Sequence, residues 1–577
     1  MSVDPVTLEV LRSRMDEVVH NMEWLLFHSG YSPILRESYD GSASVLDADG
    51  RVVVAAGMPI HSYPYLYHAK AIIEKHGDSM RPGDTYLIND PYDGGAMHLP
   101  DIAAFTPVFH EGRRIAFTAS ISHKPDIGGI APGSSSAQAR ETLHEGVLLT
   151  GVRGWTEDGL NVDVDQIMRA NSRTPEELMG DVRAQIGCTR VGSARLLSLV
   201  DEYGVDVLLE CFGFLQNRAE SLFRAELAAV PDGEAEAEGF LDSDGADLDR
   251  PVRFQVKVEK RGDQIKIDYT GSEDQRKGPI NVRPQASEAA AVMALVGFLD
   301  PAIPVNDGIN RAIDFVNPEG QVTHARKPAP VNNYFPTMQL MYGLVMKCLG
   351  ELSPERAIAP GGQGTGALTL GFPEARTGKS AVYYELMVSS LGGHPVGDGT
   401  TLVLAFCHIS TTQPIEIIET EYPVIVERFE PVEDSAGAGR HRGGPAFVRE
   451  YRALSDFRLG LRSGGYKYGS WGIQGGLGPS KAGCTLNPGS DEEEEMPALF
   501  VREMEGDDVV RVVFAGGGGL GDPHERDPEL VREDVSNGIY SAEFARKTFA
   551  VALSEDGSGV DVAATAELRA GAGAPVA

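Results

Sequence analysis

The sequence predicts a mixed α/β (α+β), multi-domain protein, with an N-terminal half of β-hairpins and helices and a strand-rich C-terminal half. Three observations carry this. At 577 residues the chain exceeds what one hydrophobic core usually serves. Turn-bounded β-branched runs alternate with segments of helical period through the first half. A break in composition, "VPDGEAEAEG" (230–239), separates a long helical stretch from the strands that follow. The expected division is 1–235, 236–554 and a flexible tail over 555–577, where the chain turns rich in Gly and Ala.

The opening helix is legible from Asp4 as cap, Pro5 in the first turn, and Leu8, Leu11, Met15, Val18, Met22 and Leu25 at three- and four-residue steps. "SASVLDADGRVVVAA" (42–56) reads as a hairpin turning at Asp49-Gly50. A strand "TYLIND" (85–90) leads into the loop "NDPYDGGAMHLPDI" (89–102), and "IAAFTPVFHEGRRIAFTASISH" (102–123) forms a second hairpin turning at His110-Glu111-Gly112. Residues 174–230 carry a helical pattern, and 252–272 a further hairpin. Helical segments at 285–299 and 334–350 precede strand-like runs at 380–390, 400–407 and 447–463. The run "DEEEE" (491–495) reads as a solvated loop.

A net charge of −33 repels phosphate backbones and anionic lipid, so neither nucleic acid nor a membrane surface is expected as a partner. The N-terminus lacks a basic region followed by an apolar stretch, so no secretory leader is expected. The longest apolar run, "AAAVMALVGFL" (289–299), is too short to cross a bilayer. Cys188, Cys211, Cys348, Cys407 and Cys484 are scattered and odd in number, which fits reduced thiols and a cytoplasmic location.

Glycine-rich "GAGRHRGG" (437–444) and "AGGGGLGDP" (515–523) lack the strand–fingerprint–helix order of a dinucleotide site and read as tight turns. "RTGKS" (376–380) is no Walker A loop, because Pro373 stands where its first glycine belongs. The chain is not expected to bind ATP by itself.

In the loop at 89–102, His98 and Asp101 are three residues apart across Leu99-Pro100, so a turned backbone can aim both at one point. "SISHKPDIGG" (120–129) brings His123 and Asp126 to the same region, and "RESYDGSA" (36–43) offers Asp40. Two imidazoles with two carboxylates suit Zn²⁺, Mn²⁺ or Fe²⁺. The plain alternative is a set of hydrogen-bonded loop residues. Asp126 reads either as a group holding His123 or a reacting water, or as the cap of the turn at Gly128-Gly129. His144, in "LHEG", is a candidate acid or base, or else a partner contact or capping residue. His61 and His68, flanked by tyrosines, line a substrate pocket or are ordinary buried histidines.

"YDGSA", "NDPYDGGAMHLPDI", "SHKPDIGG", "HEGVLL", "DVRAQI", "YTGS", "GPINV", "DSAGAGRHRGG" and "GGGGLGDPHERDP" stand in the order and spacing seen in the B-type chains of the hydantoinase/oxoprolinase superfamily, which this sequence resembles. The resemblance runs from about residue 4 to about 552. That superfamily includes N-methylhydantoinase and caprolactamase subunits and the corresponding subunits of acetone and acetophenone carboxylases.

The resemblance implies one divalent metal ion (Zn, Mn or Fe) held by Asp40, His98, Asp101 and His123. It also implies an A-type ATPase subunit as partner, in an A2B2 hetero-oligomer. That partner would use ATP to phosphorylate the oxygen of a small-molecule substrate, and this chain would complete the reaction at its metal. Hydrolysis of a lactam, hydantoin or related cyclic amide is the first expectation. A biotin-independent ketone carboxylase subunit is the second, and a non-catalytic scaffold subunit the third. The sequence departs from many relatives at Lys124-Pro125, where an aromatic or second histidine is common; Lys124 either attracts an anion or faces solvent.

Overall fold

A computed structural model describes residues 3–364, 366–373, 378–403 and 410–571. Parts of two segments singled out above, 376–380 and 400–407 with Cys407, lie outside the described residues. The architecture is mixed α/β with four mostly antiparallel sheets.

The first sheet contains β1 (Gly41–Asp47), β2 (Val52–Gly57), β3 (Thr85–Ile88), β4 (Asp101–His110), β5 (Arg113–His123), β6 (Thr150–Thr156) and β7 (Gly159–Leu160), in the order β2-β1-β5-β4-β3-β6-β7. Both expected hairpins form. Glu111 and Gly112 adopt φ values of 48° and 78°, the left-handed pair that a two-residue turn between right-twisted strands requires. The strands are buried on both faces because helices cover both. The opening helix Pro5–His28, held at its start by Asp4 accepting from the amides of Val6 and Thr7, packs on one face with Pro175–Tyr203 and Val205–Ala229. Pro64–His76 covers the other, inserting Tyr65, Ala69 and Ile72 against Phe105, Phe117 and Ile121.

The second sheet has the order β11-β10-β9-β8: β8 (Gly233–Leu241), β9 (Val252–Arg261), β10 (Gln264–Asp268) and β11 (Ile313–Val316). Its residues alternate buried and half-exposed, so one face alone meets the core. That core is built by the helices Pro284–Leu299 and Tyr334–Leu352, and it reaches across residue 235 to take in Met58, Ile60, Tyr63 and Phe223. No helix among the described residues is long and apolar enough to cross a membrane.

Two further sheets pack face to face. One has the order β13-β12-β16-β19 and the other β14-β15-β20-β17-β18. Their strands are β12 (Gly366–Phe372), β13 (Ala381–Met387), β14 (Val424–Pro431), β15 (Phe447–Ala453), β16 (Phe457–Arg462), β17 (Gly483–Leu486), β18 (Glu494–Glu495), β19 (Leu499–Met504) and β20 (Val509–Phe514). The glycine-rich segments 437–444 and 515–521 interlock beside them: the Gly437 amide donates to Gly517 O, and a Cβ on Gly443 would stand 1.9 Å from that same oxygen. Within the segment expected as a tail, Val562–Gly571 is helical, and Thr565 Oγ1 accepts from the Ala552 amide.

The loop between β3 and β4 is held by buried Asn89. Its Nδ2 donates to Leu99 O at 2.7 Å and Val147 O at 2.9 Å, while its Oδ1 accepts from the Leu149 amide at 2.6 Å. Gly95, at φ +84°, lies where a Cβ would come 2.3 Å from Tyr67 Cβ. Asn89→Ala is expected to cost roughly 2–4 kcal/mol, since three buried bonds are lost and their partners stay dry. Urea unfolding of metal-free protein measures this, and a loss under about 1 kcal/mol would contradict it.

Candidate metal centre

β5 lies between β1 and β4, and the three strands end together. Asp101 and His123 are direct partners across β4 and β5. On the other side Gly41 pairs with Ser122, and the His123 amide donates to Asp40 O at 3.1 Å. Opposed residues in antiparallel strands project to one face about 5 Å apart, so this end of the sheet gathers Asp40, His123 and Asp101 in a row. The Asp101 amide donates to His98 O at 3.3 Å, and this turn returns the His98 ring to the same point. One ligand atom each from His98, Asp101 and His123 lies within 4.8 Å of the others. Asp40, His98 and His123 line one cavity with His61, Asn332, Asn333, Tyr334, Tyr384 and Arg462.

The hydrogen bonds set the His98 tautomer. Asn332 Nδ2 donates to Ser134 O, which orients the amide, and its Oδ1 accepts from Arg462 Nη1 at 2.9 Å and from Ser135 Oγ. His98 Nδ1, 3.0 Å from that oxygen, must therefore be a donor. Its Nε2 then turns a lone pair toward Asp101 Oδ1 at 3.1 Å. Two acceptors that close require a proton or a cation between them. Neither ring nitrogen of His123 has a hydrogen-bond partner, nor has Asp101 Oδ2, and all are buried. Tyr384 lies against the His123 ring at 4.3 Å and Tyr334 against His98 at 4.8 Å. These oriented nitrogens and carboxylate oxygens fit a divalent cation of borderline character.

Electrostatics agree. Burial, then repulsion from Asp101, lifts the Asp40 carboxyl well above its ordinary range, against the pull of Lys124. Burial also works to raise Asp101, but attraction to His98, His61 and His123 outweighs it and holds this carboxyl below its usual value. Burial depresses His123 well below the usual imidazole range and His61 to about 4. A cation among these groups relieves both the carboxylate repulsion and the unmet nitrogens.

Asp126 is placed differently. Its carboxylate accepts from the amides of Gly128, Gly133 and Arg173 and pairs with the Arg173 guanidinium at 3.0 Å, so it caps the turn after β5 and does not line the cavity. The turn needs its glycine, because a Cβ on Gly128, at φ +94°, would stand 2.4 Å from Asn171 O. His144 also lies off the cavity: Nδ1 accepts from the Arg140 amide and Nε2 is 3.4 Å from Glu141. Lys124 neither meets solvent nor lines the cavity. It is fully buried, donates to Ser122 O at 2.9 Å, and burial pushes it down to about 8 against the pull of Asp181, Asp101 and Asp40.

His61 joins the centre, with Nε2 4.0 Å from Asp101 Oδ2 and an unpartnered Nδ1; His68 is buried beside Phe105, off the cavity. Sequence reasoning missed Asn332, Asn333, Tyr384 and Arg462. "VNNYFP" and the ends of ordinary strands carry no motif.

The model of the Hydantoinase B/oxoprolinase family matches residues 4–523. The chain belongs to this family. It is 30% identical over 98% of its length to the B component of a putative D-/L-hydantoinase from a Pseudomonas species, covering 98% of that protein. It is 25% identical over 98% of its length to the acetophenone carboxylase delta subunit of Aromatoleum aromaticum, covering 89% of that chain. The crystal structure of an ATP-dependent caprolactamase from Pseudomonas jessenii superposes with a TM-score of 0.89 at 29% identity, over 99% of this chain and 100% of that one.

Glu145 gives the centre's surroundings a pH signature. Burial pushes its carboxyl up to about 8, although Oε1 accepts from the amides of Val331 and Asn332. The folded chain keeps this proton up to about pH 8, whereas the unfolded chain releases it near 4.5, so its stabilising contribution at low pH is lost as pH rises between those values. Glu145→Gln, which retains Oε1, is expected to flatten the fall of Tm across that window; parallel profiles for the two proteins would contradict this.

Proposed function

We propose that this chain is the metal-holding B-type subunit of an ATP-dependent cyclic amidohydrolase. In this reading an A-type ATPase partner, in an A2B2 assembly in the cytoplasm, phosphorylates the amide oxygen of a lactam, hydantoin or related ring. This chain then completes ring opening. The observation that carries the proposal is the buried set of unpartnered donor atoms on His98, His123 and Asp101, with Asp40 on the same wall. Full-length likeness to a caprolactamase and to a hydantoinase component supports the substrate class.

Asp40, His98, Asp101 and His123 would hold one Zn²⁺, Mn²⁺ or Fe²⁺, which supplies Lewis acidity and makes water a better nucleophile near neutral pH. The chain's own groups do the rest. Asn332 fixes the His98 ring and its proton. Tyr334, edge-on to His98, and Tyr384, tilted against His123, pack on the two imidazoles and keep bulk water from them. His61, which burial depresses to about 4, stands with Nε2 4.0 Å from Asp101 Oδ2. As it stands the cavity has room for an ion or about one water, so a ring enters only when a wall moves. Once the amide oxygen carries phosphate, water adds at carbon, the ring C–N bond breaks as the nitrogen takes a proton, and a second water hydrolyses the resulting acyl phosphate to carboxylate and inorganic phosphate.

The likeness to an acetophenone carboxylase subunit favours ketone carboxylation as the second reading. Dependence of turnover on bicarbonate separates the two.

Purified wild type is expected to carry about one divalent ion per chain, and His98→Ala and His123→Ala to lose most of it, by elemental analysis. Equal metal in all three proteins would sink the assignment. In complex with its partner, His123→Ala should keep substrate-stimulated ATP cleavage while product formation falls roughly a thousandfold. Product at the wild-type rate would place the chemistry elsewhere.

A further inference from the structure

The cavity also holds a guanidinium whose charge no carboxylate answers. Arg462, at the end of β16, is 4% exposed. Its Nη1 donates to Asn332 Oδ1 at 2.9 Å, its Nη2 to the Tyr384 hydroxyl at 2.8 Å, and its charge lies 5.4 Å above the Tyr384 ring. Every one of these partners is neutral. No ion pair within 4 Å involves Arg462 among the described residues, and its Nε has no partner. The Arg462 charge also acts on Glu145, whose carboxyl burial pushes up to about 8.

Beside it, Asn333 is 2% exposed and its Nδ2 has no acceptor. Arg462 Nε and Asn333 Nδ2 are obligate donors, unlike the imidazole nitrogens of the same cavity, which can accept. A buried cation without a counter-charge and a buried amide without an acceptor are each costly. Both residues line the same cavity, and both costs are relieved by the same kind of group, an oxygen bearing negative charge.

We propose that Arg462 Nε and Asn333 Nδ2 form an oxyanion subsite that binds a small anionic oxygen group next to the metal position, entering by the same wall movement that admits the substrate ring. The assignment rests on the metal reading above and extends it by giving the non-metal wall its ligand. Two sources share this chemistry: the tetrahedral phosphoryl group of an activated substrate, and a planar carboxylate or bicarbonate. Arg462 Nε and Asn333 Nδ2 offer either group one N–H each, and the guanidinium charge strengthens the bond to a negative oxygen.

The test is calorimetric titration of the full chain, loaded with Mn²⁺ and separately metal-free, with inorganic phosphate in one arm and bicarbonate in the other. Asn333→Ala removes an amide that donates to nothing in the protein, so folding and metal content should stay as in wild type. Its anion affinity is expected to fall about tenfold, and that of Arg462→Gln about a hundredfold. A loss confined to the phosphate arm supports a phosphoryl occupant, and one confined to the bicarbonate arm a planar carboxyl occupant. Asn333→Ala binding both anions as tightly as wild type, at equal metal content, overturns the subsite and leaves the metal reading standing. Wild type that takes up no metal fells the metal reading alone, because the Asn333→Ala loss is still read in the metal-free arm.

Discussion

One amide oxygen ties the cavity together. Asn332 Oδ1 accepts from His98 in the first half of the chain, from Ser135 in the loop after β5, and from Arg462 at the end of β16. Asn332 itself stands just before the helix Tyr334–Leu352, whose far side fills the second core. Four separately folded segments thus converge on a single acceptor. Because that acceptor carries no proton, it dictates where the His98 proton sits and hence which nitrogen is free. An aspartate there would hold the same three donors but would add a negative charge, and the balance between carboxylates and cations would shift with it.

Much of the first half was legible because local chemistry and tertiary structure agree there. The β1–β2 and β4–β5 hairpins follow from Asp49-Gly50 and Glu111-Gly112, and their register brings Asp40, Asp101 and His123 to one end of the sheet. The spacing of His98 and Asp101 already implied the turn that joins them. The opposite wall was not legible. Asn332, Asn333, Tyr384 and Arg462 reach the cavity through packing between distant sheets, and distance in the chain leaves no periodic trace.

Asp126 shows how a local signal divides. An aspartate followed by glycines reads equally well as a turn cap and as a reactive group, and only the partners decide. Here Gly128, Gly133 and Arg173 consume the acceptor capacity of its carboxylate. Lys124 makes the converse point. A lysine between a histidine and a proline gives no hint of burial, yet it sits beneath the sheet end within reach of Asp181, Asp101 and Asp40.

The interlocked glycine segments have a consequence for motion. Between 359 and 362, 391 and 393, 437 and 444, 472 and 478, and 515 and 521 the chain is irregular, yet amide after amide donates across it. Gly518 donates to Pro360 O, Gly393 to Gly518 O, Gly444 to Leu391 O, Gly517 to Gly444 O, Ile473 to Gly519 O and Leu477 to Ala438 O. With no side chains between them, neighbouring backbones touch directly, and a Cβ on Gly517, Gly518 or Gly519 would stand about 2 Å from the next segment's carbonyl. No one of these segments can lift away without breaking the bonds of two others. A region that looks like loop by its dihedral angles therefore opens as one cooperative unit, and its amide protons should exchange with solvent on the slow timescale of a sheet interior rather than that of a surface turn.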